Sequence, residues 1–419
     1  MYKSTTYDVV VVGGGAAGVA AAIGAVKAGA HCLLIERYGC LGGQATIANV
    51  SSYCGFFNHA KNPEQIVKGI GQEILEELHE LGYYDKINIS PAGNAIVALD
   101  QEATKFAFDE VVGRYPVDVL MHCRAIKAEM AADKKHIASL VCTDDESIFE
   151  IQASVFVDAS GDANLAHMAG AEVRFGDGKG GCYFSTKMMR LDRVGKDVKF
   201  KPALLEEIFS KAKKDGYKCL TKESGIVFRV GDDTAYAILP SVAVPALDAR
   251  TLTECEINTR RQAQDYLAVF RKYMPGMENC RLISTGAQLG MRDTRHVIGE
   301  TILTGDDVLN AVKREDGVAR GGWPCEMHVD LNKMAKYLFV KDDDYYEIPL
   351  GCLKSKNIAN LWCAGRTISA DPIAFASVRV MGTGFATGHA AGVAAALSIN
   401  NAVAVKDIQK ELLRQQALI

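Results

Sequence analysis

The glycine cluster Gly13–Gly18 constrains the fold of this chain more than any other feature of its sequence. The cluster directly follows Asp8–Val12, a short β-branched run that is typical of a central strand buried on both faces. It leads into Ala16–Ala28, an alanine-rich stretch that predicts a helix, and Gly29 ends that helix. A strand, a glycine turn and a helix in this order are typical of the start of a doubly wound parallel sheet.

Each glycine of the GxGxxG pattern has a physical role in such a turn. Gly13 permits the tight turn, Gly15 lets the backbone approach a pyrophosphate, and Gly18 lets the helix pack closely on the strand. Free N–H groups at the start of the helix, at Ala16 and Ala17, act together with the helix dipole to hold negative phosphates. These five residues are therefore predicted to bind a dinucleotide.

An acidic residue, Glu36, ends the second predicted strand, His31–Glu36. Its spacing from the glycine turn suits a carboxylate that accepts both hydroxyl groups of an adenosine ribose. A carboxylate at this place disfavours a 2′-phosphate, which argues against NADP. A glycine turn without a ligand is a poor alternative, because strand, turn, helix, strand and acid all occur in the required order.

A second glycine-rich loop, Arg37–Thr46, favours FAD over NAD as the predicted cofactor. An NAD domain does not need this loop, whereas an elongated FAD must pass its pyrophosphate and ribityl chain close to backbone. Small residues end a later strand at Asp158–Asp162. Met381–Gly384 opens the last predicted helix, whose N-terminus can stabilise negative charge on a reduced flavin. The further predicted FAD-binding residues are Arg37, Leu41, Gly42, Gly43, Gln44, Thr46, Ala125, Ala159, Ser160, Gly161, Asp162, Gly365, Arg366, Arg379, Thr383 and Gly384.

In these segments the chain resembles the FAD-dependent oxidoreductases of the large glutathione-reductase-like flavoprotein superfamily. The resemblance includes Gly290–Glu300, which reads GMRDTRHVIGE, and extends through Arg379–Gly392, so it covers nearly the whole chain. It implies a flavin-dependent oxidoreductase. Because no motif for covalent attachment is recognisable, FAD is predicted to be bound non-covalently. The family handles varied organic molecules, including small carboxylates such as tricarballylate, so the resemblance does not specify the substrate.

The twelve cysteines are scattered, and no two of them form a CxxC pair. Iron–sulfur clusters and structural zinc sites normally need such clustering, so no metal site is predicted. The CxxxxC pair of the related disulfide reductases and the cysteine-rich motifs of heterodisulfide-reductase-like electron carriers are also missing from the sequence. Scattered thiols without a secretion signal predict a reducing, cytoplasmic location.

The predicted fold is α/β: a Rossmann-like FAD-binding domain, made of a parallel sheet plus a β-meander, carries an inserted mixed α+β substrate domain. Short strand-like runs between Val117 and Ala153, separated by polar turns, predict the meander. The parallel rhythm is lost over residues 171–347 and returns at Ile358–Ala364. Residues 1–170 and 348–419 are therefore assigned to the FAD-binding domain and residues 171–347 to the substrate domain. Helices are also predicted at Pro63–Leu81, Asp100–Tyr115, Leu252–Met274 and Gly382–Ser398.

Charge and hydropathy limit the partners of the chain. A net charge of −4 and a pI near 6.2 argue against nucleic acid, since phosphate binding needs a basic face. Two apolar stretches, Val9–Ala30 and Val380–Ile399, are interrupted by glycines or too rich in small residues to favour lipid, so no membrane span is predicted. The predicted partners are a small-molecule substrate and an electron donor or acceptor, which a protein carrier, a quinone or oxygen would satisfy. Monomer and homo-oligomer both stay open.

The predicted reaction is hydride transfer between a substrate carbon and flavin N5, with the substrate bound between the two domains. Arg292 and Arg295 are predicted to anchor an anionic part of the substrate, such as a carboxylate, because an arginine fork donates two parallel hydrogen bonds. An internal ion-pair network with Asp293 and Glu300 would explain the same arginines, and this alternative stays open.

Other catalytic candidates and other functions also remain at this point. His59, His296 and His328 are candidates for an acid/base role, although a lone histidine is more often structural. Arg366 and Arg379 compete with Arg292 for the anionic group. The alternative functions are an electron-transfer subunit that carries a flavin within a larger complex, and a tRNA-modifying flavoprotein, which would need a basic surface.

Overall fold

The computed structural model describes residues 6–90, 92–400 and 402–419. In these ranges the helices are, in chain order, α1 Ala16–Lys27, α2 Ile70–Glu80, α3 Gln101–Gly113, α4 Asn164–Met168, α5 Pro202–Lys214, α6 Ala249–Tyr273, α7 Gly305–Leu309, α8 Pro372–Val378, α9 Met381–Leu397 and α10 Val405–Arg414. The strands are β1 Thr6–Val12, β2 Cys32–Ile35, β3 Ser52–Cys54, β4 Asn88–Ile89, β5 Ala95–Ala98, β6 Val117–Leu120, β7 Arg124–Met130, β8 Ile137–Thr143, β9 Ile148–Asp158, β10 Val173–Phe175, β11 Ser185–Thr186, β12 Met189–Asp192, β13 Ile226–Arg229, β14 Ala235–Ile238, β15 Ser241–Val242, β16 Arg281–Thr285, β17 Arg295–Val297, β18 Gly317–Gly321, β19 Cys325–Met327, β20 Lys336–Leu338, β21 Tyr346–Pro349 and β22 Leu361–Cys363.

A seven-stranded sheet forms the centre of the molecule, with the order β6-β2-β1-β9-β8-β7 and with β22 paired to β9. The strands β6, β2, β1, β9 and β22 pair in parallel, whereas β7, β8 and β9 pair antiparallel. The antiparallel half is a meander. The predicted α/β fold, with a parallel sheet and a β-meander, is therefore confirmed.

Three predicted elements differ in detail. The sequence ends the meander at Ala153 and predicts a separate strand before Asp158, but β9 is one strand that pairs with β8 at its start and with β1 at its end. Val117–His122 is predicted in the meander, but β6 pairs in parallel with β2, because α2 and α3 cross over between these strands. The helix predicted from Pro63 begins only at Ile70, since Gly69, with φ 63°, turns the chain there.

Helices α1 and α9 approach each other closely because glycines of α9 lie against the backbone of α1. A Cβ atom on Gly388 would lie 2.1 Å from the carbonyl oxygen of Ala17, and one on Gly392 would lie 1.9 Å from that of Ala21. The small residues of the apolar stretch Val380–Ile399 therefore serve packing between two buried helices. No helix in the described residues has the length and apolar character needed to cross a bilayer.

The buried apolar residues form several clusters. The largest contains the buried faces of α1, α2, α3 and α9, and it also includes Val318 and Tyr346. A second cluster covers the other face of the central sheet. A third, from Met189 to Cys280, is made by β12, β13, β14, α5 and α6, and it lies within the segment predicted to be the substrate domain. The boundaries at residues 171 and 347 stay a prediction.

Candidate active site

The first cavity, of about 430 Å³, lies at the carboxyl ends of the parallel strands β1, β2, β9 and β22. This is the edge where ligands bind in doubly wound sheets. The predicted FAD-binding residues that line it are Gly13, Gly15, Ala16, Ala17, Glu36, Arg37, Gly42, Gly43, Gln44, Ala125, Ala159, Ser160, Gly161, Asp162, Gly365, Arg366, Arg379 and Gly384. The structure thus brings together on one cavity residues that are spread over the whole chain.

The other predicted FAD-binding residues lie behind the cavity lining. A Cβ atom on Gly18 would lie 1.6 Å from the carbonyl oxygen of Gly13, so Gly18 is needed for packing. The Thr46 hydroxyl donates to the Leu41 carbonyl at 2.7 Å and so ties the second glycine loop together. Thr383 is buried on α9.

The two glycine loops lie side by side. Gly13 has φ 106°, and a Cβ atom there would lie 2.5 Å from the carbonyl oxygen of Ala159, so only glycine fits this turn. The N–H of Gly42 donates to the carbonyl of Gly14 at 2.9 Å. Gly15 is the N-cap of α1 and has no side-chain cap, which leaves the helix N-terminus open to an anion.

Glu36 lies on the first cavity and is 6% exposed. Its two carboxylate oxygens accept from the N–H of Gly14 at 2.7 Å and from the N–H of Tyr38 at 2.9 Å. Burial raises the pKa of Glu36 above its ordinary value, while these two N–H donors act in the opposite direction. The backbone thus holds the carboxylate in place with lone pairs left for a ribose.

A second cavity, of about 800 Å³, lies between the small sheet β3-β5-β4 and the four-stranded sheet β13-β14-β12-β16. It meets the first cavity at the start of α9, whose N-cap, Val380, provides no side-chain cap. The residues that line both cavities are Gln44, Arg366, Arg379, Val380 and Met381. A cofactor in the first cavity would therefore present one end to the second cavity at this junction.

Unpaired polar atoms at the junction test whether a flavin fits. Gln44 Oε1, Arg366 Nη1 and Arg379 Nε are buried and have no hydrogen-bond partner among the described residues. Buried polar groups are normally paired, so three unpaired groups at one place indicate a missing polar partner. An isoalloxazine ring carries both donors and acceptors on its pyrimidine edge, and it would satisfy them. The residues present therefore fit FAD.

Glu326 is the centre of a hydrogen-bonded cluster on the wall of the second cavity. Its carboxylate accepts from Tyr337 Oη at 3.1 Å, from His328 Nε2 at 3.1 Å and from Trp323 Nε1 at 3.2 Å. It also pairs with Arg379 Nη2 at 3.5 Å. Burial alone would raise the pKa of Glu326, but the bond from His328 and the nearby arginine charges hold it well below its usual range.

Arg292 lies on the same cavity. Its Nη1 donates to the carbonyl of Phe184 at 2.7 Å and to Thr186 Oγ1 at 2.5 Å. In the part of the chain that the structure describes, Nε and Nη2 of Arg292 make no hydrogen bond, so they are free to hold a ligand. Burial and the neighbouring charge of Arg379 lower the pKa of Arg292 to about 10, which leaves the guanidinium charged at neutral pH.

The ion-pair alternative for Arg292 has no support in the structure. Asp293 pairs with His296 Nε2 at 2.7 Å and accepts from the N–H of Tyr183 at 3.1 Å. Glu300 is exposed. Among the described residues, neither acid forms a salt bridge with Arg292.

The remaining catalytic candidates lie elsewhere. Arg295 donates to the carbonyl of Asp162 at 2.9 Å and to Asn164 Oδ1 at 2.6 Å, and it lines only the first cavity, so it does not converge with Arg292. His59 pairs with Asp343 at 2.8 Å and lines neither cavity. His328 lines neither cavity, but it bonds to Glu326, which lines the second. Burial and the charge of Arg292 lower the pKa of His328 to about 3, so it is neutral.

Several residues of the second cavity could not be found by sequence reasoning. Glu326, Trp323 and Tyr337 belong to no motif and to no regular apolar pattern. Arg190 lines the cavity from β12, and its buried Nε is unpaired in the described part of the chain. Five arginines and two acidic residues meet at this cavity from separate segments, and no local pattern in the sequence predicts their meeting.

A family model described as "FAD dependent oxidoreductase" matches residues 8–417 of the chain. Among solved structures, CabE, an aromatic hydroxylase from angucycline biosynthesis, superposes with a TM-score of 0.51 at 11% identity, over 98% of this chain and 66% of that one. A geranylgeranyl bacteriochlorophyll reductase-like protein from Thermoplasma acidophilum gives a TM-score of 0.46 at 15% identity, over 99% and 84% of the two chains. The likeness to CabE is one of fold. No curated protein matches the chain.

Proposed function

Because this chain belongs to the FAD-dependent oxidoreductase family, we propose that it transfers a hydride between a carbon of a small organic anion and N5 of its FAD. The observation that carries the proposal is the junction of two cavities at Gln44, Arg366 and Arg379. FAD, when bound, supplies the hydride-accepting or hydride-donating centre. The second cavity supplies the room for a substrate.

Different residues of the first cavity bind different parts of the FAD molecule in this proposal. The backbone at Gly13 and Gly15, with the N-terminus of α1, holds the pyrophosphate. Glu36 accepts from the adenosine ribose. Gln44 and Arg366, with the N-terminus of α9, hold the polar edge of the isoalloxazine, where the helix dipole favours negative charge.

The charge of the second cavity favours an anionic substrate. The charged side chains that line it are Arg190, Arg229, Arg292, Arg366 and Arg379 against Asp100 and Glu326. The excess of arginine suits a carboxylate, which accepts two parallel hydrogen bonds from one guanidinium. Arg292 is the anchor in this proposal, since two of its nitrogens are unpaired within the described chain, and Arg295 is not part of it.

An anaerobic screen of organic acids tests the function directly. The FAD-loaded protein is mixed with each acid, and loss of the flavin's visible absorbance reports hydride transfer. We expect at least one acid to bleach the flavin on the time scale of an enzyme turnover, roughly seconds or less. NADH is the comparison, because the sequence has no second GxGxxG turn with a downstream acid. Rapid bleaching by NADH with none by any acid would overturn the proposal and favour an electron carrier.

The attachment of FAD can be checked by acid precipitation of the purified protein. We expect the yellow colour to leave the pellet and the released cofactor to be FAD, because no covalent attachment motif is recognisable. Colour that stays in the pellet would contradict non-covalent binding.

Glu36→Ala should lower the affinity of the apoprotein for FAD roughly ten- to hundredfold, since hydrogen bonds to a charged group contribute about 1.5–3 kcal/mol. Titration of the apoprotein with FAD measures this. Glu80→Ala, at an exposed position on α2, is the matched control and should leave the affinity unchanged. Equal affinities in the two variants would show that the Glu36 carboxylate does not contact the ribose.

A further inference from the structure

The wall that β13 and β14 present to the second cavity is apolar. Ile226 pairs with Ile238 across these strands, and Phe228 pairs with Tyr236, so the four side chains share one face of the sheet. All four line the cavity. The Phe228 and Tyr236 ring centroids are 5.9 Å apart.

The other face of the same strands is already buried. Val227, Ala235 and Ala237 belong to the third apolar cluster, against α5 and α6. An antiparallel sheet with one buried face normally alternates, with polar residues on its open face. Tyr236 is buried on this face, but Ile226, Phe228 and Ile238 are only partly buried, so packing within the chain leaves apolar surface open there. A bound apolar group would cover it.

At the mouth of the second cavity, where its lining is exposed to solvent, the residues are apolar except for Asn88. Tyr83, Ile89 and Val230 line it and are 55%, 58% and 41% exposed. Tyr83 and Ile89 belong to the segment assigned to the FAD-binding domain, and Val230 directly follows β13. Apolar side chains that cluster at the rim of a cavity mark a place where an apolar ligand enters or protrudes.

The inner end of the second cavity, beside the junction with the first, carries charged side chains instead. The side chains of Arg366, Arg379 and Glu326 are only 11%, 10% and 17% exposed. Charge is thus buried beside the flavin junction, while apolar surface is exposed at the mouth. This is the reverse of an ordinary protein surface, and it matches a ligand with one charged and one apolar end.

We propose that the substrate is an amphipathic acid, whose carboxylate lies at Arg292 near the flavin junction and whose apolar body extends along β13 and β14 to the mouth. The inference rests on the proposed function, because it concerns the same cavity. A volume of about 800 Å³ suits it, since cavities of roughly 300–1,000 Å³ enclose ligands of drug size. An acid of a few carbons would leave the apolar wall in contact with water.

Binding of straight-chain carboxylates to the FAD-loaded protein tests this. The series runs from butanoate to dodecanoate, and the shift of the flavin's visible spectrum reports binding. We expect the dissociation constant to fall by about three- to fourfold for each added methylene, as for apolar surface leaving water. A dissociation constant that does not change with chain length would overturn the inference.

Two variants at the mouth locate the effect. Ile89→Asp and Val230→Asp should weaken dodecanoate at least tenfold and leave butanoate unchanged. Ile148→Asp, at a 70% exposed position on β9 outside both cavities, is the control and should change neither. Equal effects of all three variants would also overturn the inference.

The results that would refute the proposed function differ from those that would refute the amphipathic substrate. If decanol binds as tightly as decanoate, the cavity does not select an anion, and the arginine anchor is refuted. If short acids reduce the flavin while affinity ignores chain length, the function stands and the amphipathic substrate is refuted.

Discussion

Arg292→Lys should lower the rate of flavin reduction by the substrate, as kcat/KM, roughly ten- to hundredfold, the loss expected for hydrogen bonds of about 1.5–3 kcal/mol to a charged group. Lysine keeps the positive charge but cannot donate two parallel hydrogen bonds to a carboxylate. FAD content should not change, because Arg292 lines only the second cavity. Anaerobic stopped-flow reduction with the acid selected by the screen measures the effect.

The matched control is Arg281→Lys. Arg281 is exposed, lies outside both cavities and pairs with Asp192 on the surface. It should keep full activity. If Arg292→Lys instead lowers the melting temperature and leaves turnover unchanged, Arg292 is structural. The anionic group would then be held by Arg366 or Arg379.

Glu326→Ala should destabilise the protein by about 3–5 kcal/mol, the usual cost of leaving one partner of a buried ion pair without the other. Arg379 would lose its ion-pair partner, Arg292 would lose the favourable charge of Glu326, and His328, Tyr337 and Trp323 would lose their acceptor. Urea unfolding of the FAD-loaded protein measures the change. Glu80→Ala, at an exposed position, should change stability by less than about 0.5 kcal/mol. Similar curves for the two variants would show that the Glu326 cluster adds little to stability.

The pH dependence of this stabilisation has a defined sign. The pKa of Glu326 is lower in the folded chain than in the unfolded chain, so its contribution is complete above its unfolded pKa, about 4.3. It is lost as the pH falls below that value towards the folded pKa. The stability difference between wild type and Glu326→Gln should therefore shrink below about pH 4.3. The pKa of His328 is also lowered, to about 3, so acid weakens the folded state further between its unfolded and folded pKa values.

The part of the first cavity that contains the glycine turn and Glu36 could be predicted from the sequence because its elements follow one another along the chain. Gly13, Gly15 and Glu36 belong to consecutive elements, and parallel pairing of β1 with β2 places them at one edge of the sheet. Later segments, such as the one that holds Arg366, are recognisable by small residues that follow a buried strand. Their approach to one groove follows from the rule that ligands bind at the carboxyl ends of parallel strands.

The helix that begins at Ile70 shows that local apolar spacing was not enough to predict where a helix starts. The apolar spacing over Pro63–Leu81 predicts a longer helix, but the N–H of Ile66 donates to the carbonyl of Phe56 at 2.8 Å. This pairing takes the first residues of the run out of the helix. A contact of this kind depends on the position of another segment, which periodicity does not report.

The sequence by itself determined the dinucleotide turn, the acid after the second strand and the family, since each rests on residues close together in the chain or on motifs in fixed order. Only the tertiary structure decided which arginine reaches which cavity. Arg292 and Arg295 are three residues apart, yet one lines the second cavity and the other the first. Their partners, Phe184 for Arg292 and Asp162 for Arg295, are more than a hundred residues away in sequence. The direction of each side chain therefore depends on how distant segments pack, and local sequence carries no record of that packing.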